Sequence, residues 1–260
     1  MRGIRSWLTD SKIYRRKFAV KPEVTNILKQ IDSPYIAKLY ETGTINGMPF
    51  EILPYYKNGS IQGRKFTYEE LKNNIIPCIN AGLKALHDKE IIHKDLKPSN
   101  IMLCDNGKDV AIIDFGISSV REAGNTVVMT RTGMTPEYSA PETFRNLFLA
   151  ESDYYSFGVT VFELFCGFTP YAHMSPDEIE KYTSVQRIPV PKDMPAELAD
   201  FINALTYYDI TNRKNKDNPN RRWTYEEVRN WCAGKKQTIP GESIGNGRVD
   251  MKPYNFKGKD

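Results

Sequence analysis

The stretch that most constrains this chain is IIHKDLKPSNIMLCDNGKDVAIIDFG, from Ile91 to Gly116. Two short apolar runs, NIMLC and VAIIDF, flank the polar segment DNGKD. Turn-forming residues between apolar runs read as a hairpin. Folded across Asp105 to Asp109, that hairpin makes neighbours of Asn100, ahead of the first strand, and Asp114, at the end of the second. An amide oxygen beside a carboxylate is a hard-ligand pair of the kind Mg2+ accepts, because that ion keeps several waters and needs few protein donors. Asp95 opens the same loop and Lys97 follows it. The carboxylate is placed to accept a hydroxyl proton and the ammonium to meet a phosphoryl group. Holding a metal-bound triphosphate, orienting an acceptor hydroxyl and neutralising developing charge are what phosphoryl transfer asks of a protein.

The flanking sequence reads as two lobes of the α+β class. KIYRRKFAVK is strand-like and ends at Lys21; Pro22 then suits the first position of a helix, with Glu23 in its first turn. EVTNILKQI carries that helix, and Pro34 disfavours helix at Ser33. IAKLYETGTINGMPFEILPYY reads as two strands joined by an Asn46-Gly47 turn. Beyond the loop KNGSIQG the pattern becomes helical. Leu71, Ile75, Ile79, Leu83 and Leu86 recur near the helical period, Thr67 with Glu70 makes a capping box, and Pro77 is expected to bend the helix. DYYSFGVTVFELFCG, AELADFINALTYY and YEEVRNWCAG read as further helices. The expected organisation is a small β-rich lobe over 1–56, a larger helical lobe over 57–233 and a polar tail or linker over 234–260. Ligand sites favour the crevice between such lobes.

Composition narrows the function classes. With 40% hydrophobic and 26% charged residues the chain is globular, and its net charge of +4 is spread along the sequence, against a nucleic-acid partner. No apolar run approaches the ~20 residues of a membrane span. MRGIRSWLTDSK lacks the apolar core of a signal peptide. Cys78, Cys104, Cys166 and Cys232 are far apart, as expected of reduced thiols in the cytoplasm. Oligomeric state is left open.

HKDLKPSN resembles the catalytic loop of eukaryotic-type Ser/Thr protein kinases, and DFG from Asp114 to Gly116 resembles their magnesium motif. GMTPEYSAPE is similar to the end of their activation segment and SDYYSFGVTVFELFCGFTPY to the helix that anchors their larger lobe. The resemblance runs roughly from Trp7 to Trp231. It implies a two-lobed fold that transfers phosphate from ATP to Ser or Thr of a protein substrate, with Mg2+ (Mn2+ as the alternative). Asp95 is implied as the catalytic base, with Lys97 beside it marking Ser/Thr specificity; Asn100 and Asp114 are implied as metal and ATP ligands. Lys21 in FAVK matches the strand lysine that holds the α- and β-phosphates. Ala19 and Leu103 are implied to sandwich the adenine, Leu53 to be the gatekeeper, Pro54 to offer its carbonyl and Tyr56 its N–H. His93 shapes the loop, Thr135 contacts Asp95, Asp153 orients the loop backbone, and Arg222 pairs with Glu142.

The sequence departs from the family pattern in specific places. No G-x-G-x-x-G precedes Lys21, so weak nucleotide binding is expected. The ion-pairing glutamate expected in the first helix falls on Val24, with Glu23 as the neighbouring candidate partner for Lys21. Lys94 replaces the catalytic-loop arginine and cannot form a bidentate fork. Thr130 and Thr132 are candidate sites of autophosphorylation, with Lys94 as the pairing cation. A catalytically weak or inactive kinase-like scaffold that binds nucleotide is the alternative.

Overall fold

The computed structural model describes residues 11–15, 21–115, 118–120, 134–185 and 187–241. Ala19, Gly116, Thr130 and Thr132 lie outside the described residues.

The small lobe holds β1 (Ser11–Arg15), α1 (Pro22–Leu28), β2 (Glu41–Ile45) and β3 (Met48–Pro54). Its antiparallel sheet has the order β1-β3-β2. Asn46 and Gly47 both take positive φ, 51° and 77°, as the two-residue hairpin turn requires. They set Ile45 against Met48. Pro22 starts α1 and Glu23 sits in its first turn. The helix closes at Leu28, shorter than the apolar pattern suggested. Val24, Thr25 and Leu28 form its buried face.

The chain leaving α1 docks onto the larger lobe. Ile36 bridges Ile112 in parallel, with Ala37 N–H on the Ile112 carbonyl and Ile112 N–H on the Tyr35 carbonyl, each at 2.9 Å. Gly82 makes this approach possible, since a Cβ there would stand 2.9 Å from the Tyr35 carbonyl oxygen.

The large lobe starts at the predicted capping box. Thr67 Oγ1 accepts the Glu70 N–H at 3.2 Å and Glu70 Oε2 accepts the Thr67 N–H at 2.8 Å. A short α2 (Tyr68–Glu70) passes through a π turn (Leu71–Ile75) into α3 (Ile76–His87). The disturbance expected at Pro77 takes this form: the Ile76 N–H reaches back to the Leu71 carbonyl, one residue beyond the α-helical partner. Pro77 then occupies the first turn of α3, where its missing N–H costs least. The whole predicted stripe from Leu71 to Leu86 is buried.

Two short antiparallel ribbons follow. β4 (Ile91–Ile92) pairs with β7 (Ser119–Val120), and β5 (Ile101–Leu103) pairs with β6 (Val110–Ile112). α4 (Ala150–Cys166) then runs through the lobe, buried on nearly every side from Ser152 to Phe162, as expected of a central helix. α5 (Pro176–Thr183), α6 (Ala196–Leu205) and α7 (Tyr225–Cys232) pack around it. Gly158 lets α6 close on α4, because a Cβ there would meet Leu205 Cβ at 2.9 Å. Phe201 bridges Phe157 and Trp231 with ring centroids 6.0 and 4.5 Å away.

The first residues of the expected tail pack on the large lobe. Ile239 and Pro240 are buried. Trp223 Nε1 donates to the Thr238 carbonyl at 3.0 Å, and Arg187 Nη2 to the Pro240 carbonyl at 2.8 Å. The large lobe therefore continues to Gly241, whose N–H reaches Asn220 Oδ1 at 2.9 Å. A Gly-rich composition hid one apolar anchor at Ile239. Among the described residues no helix is long and apolar enough to cross a membrane, and all four cysteines are free thiols.

Candidate active site

The loop from His93 to Asn100 is held by one buried carboxylate. Asp153, on the first turn of α4, accepts the His93 N–H at Oδ2 and the Lys94 N–H at Oδ1, both at 2.9 Å. His87 Nε2, from the end of α3, lies 2.8 Å from Oδ2. Burial alone would raise the Asp153 pKa. The His87 hydrogen bond and charge, with the Lys94 amide, outweigh it and keep the pKa below the usual value. Two loop amides are thus tied to a helix that is itself fixed by the core. Lys94 can hold a φ of 74°, unusual for a residue with a Cβ, because its N–H is anchored in this way.

His93 locks the next layer. Its Nδ1 accepts the Asp95 N–H at 3.3 Å and its Nε2 lies 2.9 Å from the Ile113 carbonyl, so the hydrogen-bond network assigns the proton to Nε2. The ring packs edge-on against Phe115 with centroids 5.5 Å apart. Through His93 the loop is tied to the strand leading to Asp114.

Asp95 sits at the centre of four polar contacts. Its Oδ1 accepts Thr135 Oγ1–H at 2.8 Å, and its Oδ2 meets Lys97 Nζ at 2.7 Å and Asn100 Nδ2 at 3.2 Å. Asn100 Nδ2 also donates to the Asp95 carbonyl at 2.8 Å, which fixes the amide flip. Lys97 Nζ reaches Thr135 Oγ1 at 2.5 Å. The Thr135 hydroxyl therefore bonds both a carboxylate oxygen and an ammonium. Pro98 begins a 3-10 turn, Pro98–Asn100, that delivers the asparagine.

The hairpin predicted to bring Asn100 beside Asp114 is present. Ile101 faces Ile112, and the ladder extends one step further as the Ile113 N–H bonds the Asn100 carbonyl at 2.9 Å. Asp114 follows with φ of 68°, a left-handed conformation that costs energy and is tolerated where surrounding structure dictates it. Asp105 and Asp109 serve the turn and its surroundings, with Cys104 N–H on the Asp109 carbonyl at 2.8 Å. An amide and a carboxylate at the mouth of a hairpin suit Mg2+, which takes few protein oxygens when phosphates complete its shell. No denser cluster of metal-ligating side chains occurs among the described residues.

The predicted Glu142–Arg222 pair forms deep in the lobe. Arg222 Nη1 and Nη2 reach Glu142 Oε1 and Oε2 at 2.6 and 3.2 Å, a bidentate fork. Arg222, 2% exposed, uses two further donors: Nε on the Tyr207 carbonyl at 2.8 Å and Nη1 also on the Glu151 carbonyl at 2.9 Å. Ser152 Oγ–H adds a further bond to Glu142 at 2.7 Å.

The small-lobe residues divide differently. Leu53 is fully buried near the end of β3, Pro54 is half-buried as its last residue, and Tyr56 is half-buried in the connection that follows. Leu103 and its β5 neighbour Met102 are both buried. Lys21 lies outside the three-stranded sheet, in the extended residue that caps α1. The predicted partner Glu23 is exposed in the helix's first turn, with Val24 buried beside it. Residues two apart at a helix start do not face each other.

Several functional neighbours carried no sequence signal. His87 braces Asp153 from 66 residues away. Ser118 Oγ donates to the His93 carbonyl at 3.2 Å. Tyr138 donates its hydroxyl to Glu163 on α4. Burial pushes the Glu163 carboxyl up despite that bond. Lys94 is 9% exposed, with Nζ 4.7 Å over the Phe148 ring. Its pKa falls to about 8, chiefly through burial, with the Lys21 charge adding to the fall and Asp153 opposing it.

Comparison with known proteins agrees with this geometry. The protein kinase domain family matches residues 11–229. The chain is 32% identical over 216 residues to myosin light chain kinase A of Dictyostelium discoideum, covering 78% of this chain and 72% of that one. It is 30% identical over 228 residues to CBL-interacting serine/threonine-protein kinase 8 of Arabidopsis thaliana, covering 84% and 48%. It is 30% identical over 197 residues to the cAMP-dependent protein kinase catalytic subunit PRKX of Mus musculus, covering 72% and 53%. The chain thus spans about half the length of the last two.

Proposed function

Because the chain belongs to the protein kinase domain family, we propose that it transfers the γ-phosphoryl group of ATP to Ser or Thr hydroxyls of proteins. The observation that carries this reading is the contact set around Asp95, in which Lys97 and Asp95 both bond one hydroxyl and each other. In the reaction the substrate hydroxyl donates its hydrogen bond to Asp95, which orients it and takes the proton as the new O–P bond forms and the bond to the leaving diphosphate breaks. Lys97 neutralises charge on the transferred group. Asn100 fixes the Asp95 carboxylate and, with Asp114, would hold Mg2+. That ion, when bound, neutralises the phosphates and fixes their geometry. Leu53, Pro54, Tyr56 and the β5 side chains frame the adenine end of the crevice. Ala19 is proposed as a further adenine contact.

The names of the relatives, among them a serine/threonine-protein kinase, support the Ser/Thr assignment, as does Lys97 itself. Thr130 and Thr132 are proposed autophosphorylation sites, with Lys94 as the cation that receives the phosphate. The free cysteines support a cytoplasmic setting. A second reading, a kinase-like scaffold without turnover, draws support from α1, whose inward face is Val24, Thr25 and Leu28 and offers no carboxylate. Incubation with labelled ATP, Mg2+ and a generic protein substrate separates the two. Label transfer by the wild type and its loss in Asp114→Ala is the expected result. Nucleotide binding without any transfer, to itself or to another protein, would leave the scaffold.

A further inference from the structure

The peptide between His93 and Lys94 is the strained point of the catalytic loop. Lys94 holds a φ of 74°, and a residue with a Cβ keeps that conformation only where its surroundings dictate it. Both polar groups of this peptide are held. Its N–H, on Lys94, reaches Asp153 Oδ1 at 2.9 Å, on the first turn of α4. Its carbonyl, on His93, accepts the Ser118 hydroxyl at 3.2 Å. The next residue is Asp95, whose N–H rests on Nδ1 of the same His93 at 3.3 Å. The orientation of the base therefore follows the orientation of this peptide.

The β4–β7 ribbon explains why a hydroxyl stands there. Ile91 faces Val120 and Ile92 faces Ser119, which brings Ser118 across from His93 at the end of the ribbon. Serine has two donors, its backbone N–H and its hydroxyl. The Ser118 N–H is turned back to the Phe115 carbonyl at 3.1 Å, so the donor left for His93 is the side chain. Ser118 is fully buried, and a residue without a hydroxyl would leave the His93 carbonyl short of this bond away from bulk water. His93 also places Nε2 2.9 Å from the Ile113 carbonyl. It thus bonds the chain on both sides of Asp114, by its ring to Ile113 before it and by its carbonyl to Ser118 after it.

We propose that Ser118 is a positioning residue for phosphoryl transfer: its hydroxyl sets the His93–Lys94 peptide, and through it Asp95, when the chain leaving Asp114 is docked on the loop. Asp153 holds the peptide from the core helix, and Ser118 holds it from the segment that follows Asp114. Base and metal-binding carboxylate are aligned together, and withdrawal of the Ser118 hydroxyl leaves the peptide fixed at its N–H alone. This inference rests on the kinase reading above.

Steady-state kinetics and direct titration with ATP and Mg2+, on the wild type, Ser118→Ala, Ser118→Thr and Ser118→Val, test it, with thermal melts alongside. Ser118→Ala should lower kcat by about tenfold, since small misplacements of a reacting group are costly, while nucleotide affinity stays within about twofold. Thr and Val have nearly the same shape and differ in the hydroxyl. Ser118→Thr should therefore exceed Ser118→Val in kcat by a similar factor, whatever the added methyl costs both. A role in folding alone would move the melts and leave kcat of the folded protein unchanged. Wild-type kcat in Ser118→Ala, equal kcat in Ser118→Thr and Ser118→Val, or a loss confined to nucleotide affinity overturns the proposal. Should the added methyl keep Ser118→Thr and Ser118→Val from folding, Ser118→Ala decides by itself. A wild type that transfers no phosphate overturns the kinase reading itself, a different outcome from an active wild type with unaffected variants.

Discussion

The catalytic loop of the large lobe and the first helix of the small lobe were both read from short motifs, and the structure treats them in opposite ways. Around Asp95 every motif residue has a partner fixed by something more deeply buried: Asp153 holds two amides, His93 ties the loop to Ile113, and Asn100 binds Asp95 twice. Around Lys21 the motif residue caps a seven-residue helix whose one acid faces solvent. A side chain keeps its motif role where the surrounding core leaves it one position. Where the core is thin, the same letters settle into local structure, here a helix start favoured by Pro22 and a first-turn glutamate.

The largest expected effect sharpens the large-lobe side of this comparison. Asp95→Asn keeps the shape and loses the base, so turnover should fall by about 10²- to 10⁴-fold, with nucleotide affinity nearly unchanged. Paired measurement of phosphotransfer and ATP binding checks it; unchanged turnover would remove Asp95 from the mechanism.

Next comes the buried fork. Arg222→Ala leaves Glu142 as an uncompensated buried charge and should destabilise the protein by about 3–5 kcal/mol, read by denaturant unfolding. A loss under about 1 kcal/mol, the range of a surface pair, would break the claim that the large lobe is rigidly determined.

Lys94 gives a pH prediction at the boundary between the regions, since Lys21 contributes to its shift. Its folded pKa, about 8, lies below the unfolded value, so the fold opposes protonation. The unfolded chain binds more protons between about pH 8 and the ordinary lysine pKa of about 10.4, and stability from this group rises with pH across that window. Below it the penalty is fully present. Lys94→Met should remove this component. Melting temperatures of both proteins at pH 7 to 10 give the difference, and parallel curves would show that Lys94 titrates normally.

The smallest effect belongs to the small lobe. Glu23→Gln should cost no more than a helix-dipole contribution of about 0.3–1 kcal/mol and leave KM for ATP where it is. A tenfold rise in KM would restore the Lys21–Glu23 pair and break the contrast.

Legibility in the sequence followed how local each cause was. The Asn46-Gly47 hairpin, the Thr67–Glu70 capping box, the buried stripe of α3 and the ribbon joining Asn100 to Asp114 rest on contacts within about a hairpin's reach, so propensity and period describe them. Pro77 announced a disturbance, but its form, a π turn, was chosen by the packing of the helix on either side. The polar tail hid Ile239, because composition averages over a segment and one buried side chain is enough to dock it.

What the sequence by itself determined is the set of chemical groups: a base, an ammonium, an amide and a carboxylate on one loop and hairpin, with the helical pattern of the lobe that carries them. Only the tertiary structure decided that His87 braces Asp153, that Phe148 lies under Lys94, that Lys21 leaves the sheet and that Glu51 is buried in β3. These depend on elements distant in sequence meeting at one point. A side chain's burial and partners are properties of that meeting, and no local pattern records them.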